Sequence, residues 1–261
     1  MFVMLGALGL VLFCFFVRIK HNLVWSHFTP SCFKCRFSFA DYHSPKYNNF
    51  GALRVINEDR VEAEEGFGTH SHSQYEIWSY VVSGELTHRD SMGNTETIKR
   101  GDVQFTSAGT GISHSEFNHS KQKKQVHFLQ IWATPDRVDK PAYQTAHFGD
   151  EQKRNQLCPI VTPEIVKSAE FAKTLKIRTD LWMFASILDN GKELNYQFES
   201  PKSRRGYLQV VSTKSNSSLT LNGSLLLEEG DGAFIDNLDT LKITGTSKNP
   251  TEFLFFDLAK K

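Results

Sequence analysis

Residues 75–109 read YEIWSYVVSGELTHRDSMGNTETIKRGDVQFTSAG, and this stretch decides the fold. Apolar and polar residues alternate in it, or valine, isoleucine and aromatic residues cluster in short runs, and both patterns are typical of β-strands. Residues 91–94 form a turn sequence between two such runs, and Gly101 and Asp102 open the next run. Similar runs continue over about residues 50–134 without helical periodicity, so the sequence predicts an all-β sandwich or barrel.

The second half of the chain repeats this pattern. Residues 96–109 and residues 224–237 (SLLLEEGDGAFIDN) each lead from apolar residues into Gly-Asp and then into another strand. This shared layout predicts an internal duplication of one β-fold. All ten histidines lie at or before His147, so only the first copy can hold a histidine-based metal site. The charged stretch between the copies, residues 136–150, is expected to be a linker.

The composition excludes some classes of function. The chain has 261 residues, of which 39% are hydrophobic and 23% charged, and its formal net charge is +1. This balance is typical of a globular protein and gives no reason to expect a nucleic-acid or membrane surface. Cys32 and Cys35 form an isolated C-x-x-C without a second ligand pair, so two ordinary thiols are favoured over a redox or zinc role.

The beginning of the chain is unusual. Residues 1–17 form an uncharged apolar run that is followed by Arg18 and Lys20, and its length is at the lower edge for a membrane span. A signal anchor, an incorrectly assigned start and an alternative first exon each account for it. The expected location is cytoplasmic or nuclear, and membrane anchoring through residues 1–17 is the alternative.

Two pairs of polar residues predict a metal site. His70 and His72 share one face of a strand because side chains alternate along it, and His114 and Glu116 show the same spacing about forty residues later. Three imidazoles and a carboxylate suit iron, manganese, nickel or copper better than calcium or magnesium. The alternative is a pair of solvated histidines on a polar strand, but the second motif favours a metal.

These motifs carry a resemblance to a known family. G-x-G-T-H-S-H-(x3)-E-(x7)-G, which begins at Gly66, and GDVQFTSAGTGISHSEFN, which begins at Gly101, resemble the paired cupin motifs of the pirin family. Its bacterial members include proteins with quercetinase activity. The resemblance implies an all-β bicupin, with two small antiparallel β-barrels of the jelly-roll type in one chain. The implied parts are a divergent segment (1–36), a metal-binding cupin (37–135), the linker (136–150) and a degenerate C-terminal cupin (151–261).

The resemblance also implies the metal and its ligands. The family's metal is typically Fe2+, with manganese, nickel and copper as alternatives. The implied ligands are His70, His72, His114 and Glu116. Glu76 matches a glutamate that many other cupins use as a ligand, and in the sequence it has the same parity as His70 and His72. Because the pirin pattern uses Glu116 instead, Glu76 is expected to lie behind the ligands or in the pocket wall.

The implied activity is that of a dioxygenase that opens the heterocyclic ring of a flavonol such as quercetin with O2 and releases carbon monoxide. Glu116, as well as being a ligand, would be the catalytic base. Trp78, Tyr80, Phe105 and Phe117 are candidates for lining the cavity that receives a flat aromatic substrate, and ordinary core packing is the equal alternative for each of them.

Other functions remain open. One is a non-catalytic iron-binding regulatory protein that resembles a transcription cofactor, and another is a stress-related protein with a different substrate. Ser71 stands where the family usually has proline, which leaves substrate specificity open but not metal binding. The expected partners are a flavonol and O2; direct nucleic-acid binding is not expected, membrane contact would require residues 1–17 to be an anchor, and the protein is expected to be a monomer.

Overall fold

A computed structural model describes residues 15–19, 32–35 and 48–260. Their regular structure is almost entirely β, which confirms the predicted fold class. One short helix, α1 (Asp150–Lys153), and one 3-10 helix (Ala169–Phe171) complete it. The strands are β1 (Phe15–Ile19), β2 (Cys32–Cys35), β3 (Leu53–Val61), β4 (Gly66–His72), β5 (Glu76–Ser83), β6 (Glu85–Asp90), β7 (Thr95–Lys99), β8 (Asp102–Ser107), β9 (Ile112–Phe117), β10 (Val126–Ala133), β11 (Ala142–His147), β12 (Cys158–Pro163), β13 (Leu175–Ile177), β14 (Leu181–Leu188), β15 (Glu193–Gln197), β16 (Arg204–Val210), β17 (Ser218–Leu221), β18 (Leu225–Glu228), β19 (Gly232–Asp236), β20 (Thr240–Gly245) and β21 (Thr251–Ala259).

Of the described residues, 32–35, 48–149 and Pro163–Thr179 form the N-terminal unit. A six-stranded sheet has the order β11-β8-β5-β10-β3-β2, and a four-stranded sheet has the order β4-β9-β6-β7. Both sheets contribute apolar side chains to one core, which is why they pack together as a jelly roll. Its buried members are Val61, Val81, Leu86, Ile98, Val126 and Phe128.

Of the described residues, 15–19, Asp150–Thr162 and 180–260 form the C-terminal unit. Its strands form one sheet in the order β1-β19-β16-β21-β14-β12 and a second in the order β15-β20-β17-β18. Aromatic and aliphatic side chains fill its interior: Phe184 contacts Tyr196 and Phe255, and Phe198 also packs against Phe255. The strands that correspond to β4 and β9 therefore carry apolar residues in this core.

The strand orders of the two units establish the duplication. β3 corresponds to β14, β4 to β15, and so on to β10 and β21, and each pair occupies the same place in its sheet. The outer strand differs, because the N-terminal unit ends its large sheet with β11 and the C-terminal unit uses β1 from the start of the chain.

The division of the chain differs from the expected one. Residues 136–150 were expected to form a linker, but they contain β11, which pairs with β8. Pro163–Thr179, expected in the C-terminal cupin, is part of the N-terminal unit. The first difference arises because the residues of β11 are half-exposed or exposed and hide the strand pattern.

The expected divergent N-terminal segment is described only in part. Residues 15–17, the end of the apolar run, lie in β1, which pairs with β19. Residues 1–14 lie outside the described residues, as do residues 20–31 and 36–47, and Cys32–Cys35 forms β2 beside β3. Within the described ranges, no helix has the length and apolar character that a membrane crossing needs.

Candidate metal centre

Strands β4 and β9 place the histidines opposite one another. Their antiparallel register pairs His70 with His114, and a β-bulge lies between Phe67 and His70. A bulge turns the following side chains relative to the partner strand, so it fixes where the histidines point. Gly66 lies just before the bulge, where a Cβ atom would lie 2.6 Å from the Cα of Phe117. Only glycine permits this close approach of the two backbones.

Three imidazoles converge at this point. One ring nitrogen from each of His70, His72 and His114 lies within 4.8 Å of the other two. The Nε2 atoms of His70 and His114 are 3.1 Å apart. Nδ1 of His70 lies 2.7 Å from the carbonyl oxygen of Gly68. Because a carbonyl only accepts, Nδ1 carries the proton and Nε2 keeps its lone pair for a ligand.

This geometry fits a bound metal ion. Two imidazole nitrogens that each bind one ion at about 2.1 Å lie roughly 3.0–3.4 Å apart at ordinary bond angles, and the observed distance falls in that range. The metal-binding form of histidine is the neutral one. Burial, with help from the neighbouring His114 and His70, lowers the pKa of His72 to about 4, and burial also lowers the pKa of His114.

Glu116 lies in the same cavity but outside the histidine cluster. Its carboxylate is buried, Oε1 accepts a hydrogen bond from Oγ of Ser79 at 3.0 Å, and Oε2 accepts one from Nε2 of Gln130 at 2.6 Å. Both donors are neutral, and no ion pair from the described residues reaches Glu116. A buried carboxylate needs a counter-charge. A divalent cation at the neighbouring histidines would supply it, so the donor set fits the metal that the sequence predicts.

The cavity has a volume of about 340 Å³, which is suitable for a small ligand. Its walls combine histidines, amides, carboxyl groups and two aromatic rings. The cavity is lined by Asn57, Asp59, Gly66, Phe67, Gly68, His70, His72, Glu116, Gln130 and Trp132.

Of the two alternatives for the candidate aromatic residues, the structure favours core packing over a place in the cavity wall. Trp78, Tyr80 and Phe105 are fully buried but do not line the cavity. Trp78 stacks on Phe105 on the face of β5 opposite to Ser79, which contacts Glu116. Phe117 stacks on His119 instead. The aromatic rings that do line the cavity are those of Phe67 and Trp132.

Glu76 points away from the cavity. A turn over residues 73–75 separates β4 from β5, so the parity that Glu76 shares with the histidines in the sequence does not continue in space. Its Oε2 accepts a hydrogen bond from the backbone N–H of Arg178 at 3.4 Å, and the Arg178 guanidinium lies 3.9 Å from Oε1. Burial raises the pKa of the Glu76 carboxyl. Glu76 thus connects the start of β5 to Pro163–Thr179 within the N-terminal unit and does not contact the candidate metal site.

Comparisons with known proteins agree with this arrangement. The family model described as Pirin matches residues 26–133. A protein named quercetin 2,3-dioxygenase from Escherichia coli (strain K12) is 38% identical over 223 residues, which are 85% of this chain and 89% of that protein. The chain belongs to the pirin family. A second family model, described as Quercetinase C-terminal cupin domain, matches residues 165–258.

Solved pirin structures share the fold. The crystal structure of YhhW from Escherichia coli is 33% identical and has a TM-score of 0.82, covering 94% of this chain and 97% of that one. The crystal structure of the same bacterial pirin in complex with nickel(II) is 31% identical, also with a TM-score of 0.82, and covers 95% of this chain and 100% of that one.

Sequence reasoning missed several polar residues of this pirin's cavity. Ser79 and Gln130 hold the Glu116 carboxylate, and Asn57 and Asp59 line the cavity beside it. Each of these four residues is a polar residue within or after an apolar run of its strand. A polar residue in such a position is the sequence signal that could have indicated them. His88, which is fully buried with its ring 5.2 Å from that of His114, was also not recognised.

The lowered pKa of His72 predicts how acid affects the metal-free pirin. In the unfolded chain histidine titrates near 6.5, whereas folded His72 resists protonation down to about 4. The unfolded state therefore binds more protons between these values, and stability is lost as the pH falls from about 6.5 to about 4. Urea unfolding of the metal-free protein across this range, beside His72→Gln, should show a steeper loss in the wild type. Equal slopes for both proteins would contradict the prediction.

Proposed function

We propose that this pirin is a metal-dependent dioxygenase that opens the heterocyclic ring of a flavonol such as quercetin with O2 and releases carbon monoxide. The observation that carries the proposal is the convergence of His70, His72 and His114 beside a cavity whose wall includes the buried carboxylate of Glu116. The relative from Escherichia coli that is named quercetin 2,3-dioxygenase supports it.

We further propose that the metal is Fe2+, with manganese, nickel and copper as alternatives, and that His70, His72, His114 and Glu116 hold it. When bound, the ion supplies Lewis acidity that eases deprotonation of the flavonol 3-hydroxyl. The Escherichia coli pirin in complex with nickel(II) supports a divalent ion but does not select among the metals. The predicted monomeric state, the predicted cytoplasmic or nuclear location and the absence of nucleic-acid binding stay predictions.

The side chains of the cavity suit the first proton transfer. Glu116 is the base that accepts the hydroxyl proton, and its orientation is fixed by the hydrogen bonds from Ser79 and Gln130. Phe67 and Trp132 provide apolar surface for a flat ring system. Both sheets of the N-terminal unit contribute to the cavity wall, through β3 and β10 on one side and β4 and β9 on the other.

Glu116→Gln tests this role. The amide keeps the shape of the side chain but cannot accept the proton, so we expect oxygen uptake with quercetin to fall by about 100-fold or more. The assay measures oxygen consumption and carbon monoxide release by the iron-loaded protein. Glu76→Gln is the matched control, because Glu76 is a buried glutamate outside the cavity, and its activity should stay close to that of the wild type.

Two outcomes would count against the proposal. Equal loss of activity in both variants would show that neither glutamate has a specific role. Full metal occupancy without turnover across a panel of flavonols would contradict the dioxygenase and leave a metal-binding regulatory protein as the better description.

A further inference from the structure

Two buried oxygen atoms of β3 lack a partner inside the cavity. Oδ1 of Asn57 and Oδ1 of Asp59 accept no hydrogen bond from any of the described residues, and each side chain is only 2% exposed. The two residues alternate along β3, so they lie on the same face, and both line the cavity next to Glu116. The unpartnered oxygens therefore share one small volume with the candidate metal site.

Unpartnered buried oxygens are unfavourable, and natural proteins rarely keep two side by side without a reason. The neighbouring strand explains why no side chain satisfies them. Gln130 is paired with Asn57 in the register of β3 and β10, but its amide donates to Glu116, and Phe128, opposite Asp59, has no polar group. On the β10 side, therefore, no side chain is free to donate to these oxygens, and the cavity is where a donor can approach them.

The chemistry of the two groups indicates what kind of hydrogen-bond donor would bind to them. The Asn57 oxygen is an acceptor, and the Asp59 carboxyl offers an acceptor oxygen in either protonation state, so both suit a ligand hydroxyl. Burial, together with the charges of Glu116 and Glu58, raises the pKa of Asp59. Water can satisfy these groups in the free protein, and a ligand hydroxyl can reproduce its hydrogen bonds.

We propose that Asn57 and Asp59 form a polar subsite that binds a second hydroxyl group of the substrate, separate from the oxygen that is bound at the histidines. The ligand class is a planar polyphenol, because the same cavity has the aromatic rings of Phe67 and Trp132 in its walls. This inference rests on the proposed function for the identity of the substrate. It adds that Asn57 and Asp59 determine which hydroxylation pattern is accepted.

The test is a binding cycle that needs no turnover. Quercetin and derivatives that each lack one hydroxyl are titrated calorimetrically into the metal-loaded protein under argon, and the titrations are repeated with Asp59→Leu and Asn57→Leu. In the wild type, loss of the recognised hydroxyl should weaken binding about tenfold, the usual effect of one hydrogen bond. In Asp59→Leu the same loss should have a clearly smaller effect, because one of the two partners of that hydroxyl is already absent.

Two further measurements separate a binding role from a structural one. Asp59→Asn keeps a hydrogen-bonding group, so it should restore most of the discrimination between quercetin and the derivative. Asp59→Leu removes an unpartnered polar group from a buried position, and its Tm should equal or exceed that of the wild type, with unchanged metal content. A residue that served only the fold would instead lower Tm when it is replaced.

The outcomes distinguish this inference from the proposed function. If every derivative loses the same affinity in the wild type and in Asp59→Leu, the subsite is disproved, even when the iron-loaded protein consumes oxygen. If the cycle shows the expected coupling but no flavonol is turned over, the subsite stands and the dioxygenase proposal fails. A large drop in Tm for Asp59→Leu, without coupling, would assign Asp59 to the fold.

Discussion

His114→Ala will lower the affinity for the metal by more than about 100-fold and remove the activity that depends on it. Replacement of residues that only support metal ligands typically costs 10- to 100-fold, so loss of a ligand itself should cost more. His114 is one of the three clustered imidazoles, with its Nε2 3.1 Å from that of His70. Without this imidazole, His70, His72 and the Glu116 carboxylate remain as proposed ligands. Two imidazoles no longer surround the ion as three do.

Elemental analysis of the purified protein and calorimetric titration with a divalent metal measure the effect. His119→Ala is the matched control, because His119 is an exposed histidine five positions further along the same part of the chain. Its metal content should equal that of the wild type. Full occupancy in His114→Ala would show that the ion binds elsewhere, and the assignment of the site to β4 and β9 would then be wrong.

Gly66→Val will destabilise the N-terminal unit by about 3 kcal/mol, at the upper end of the usual cost of overpacking. The new Cβ would lie 2.6 Å from the Cα of Phe117, and backbone atoms cannot move aside as a flexible side chain can. The two strands must therefore separate at the bulge that sets the register of His70 and His114. We expect reduced metal affinity together with the lower stability.

The midpoint and slope of urea unfolding measure the free-energy change. Gly68→Ala is the control, because a Cβ atom at Gly68 meets no atom within 4 Å. That variant should stay within about 1 kcal/mol of the wild type, the range that the lower entropy of alanine and its strand propensity allow. Equal stability of Gly66→Val and Gly68→Ala would mean that the β4–β9 contact is not under steric constraint.

The sequence could predict the strands and the histidine cluster for a simple reason. Alternation along β4 and β9 fixes which side chains share a face, and the antiparallel register then brings His70 opposite His114. The sequence could not predict which way the Glu76 side chain points. The turn at residues 73–75 separates β4 from β5, so the alternation of side chains along β4 does not continue into β5.

The aromatic walls could not be predicted from burial. In β5 every residue from Glu76 to Val82 is buried, so both faces of the strand are covered and hydrophobicity does not reveal which face borders the cavity. Trp78 and Trp132 look alike in the sequence, yet only Trp132 lines the cavity. The edge strand β11 was missed for the opposite reason, because its half-exposed residues carry no apolar alternation.

The filled interior of the C-terminal unit has a consequence for how the two copies respond to selection. Phe184, Phe198 and Phe255 need only preserve volume and shape, and hydrophobic cores tolerate exchanges that do so. The cavity of the other copy must also keep donor atoms at fixed positions. A mutant library screened for folding alone should therefore accept many hydrophobic exchanges at core positions of both copies. A screen for turnover should accept few exchanges in the cavity of the N-terminal copy, while the core of the C-terminal copy should stay as variable as before.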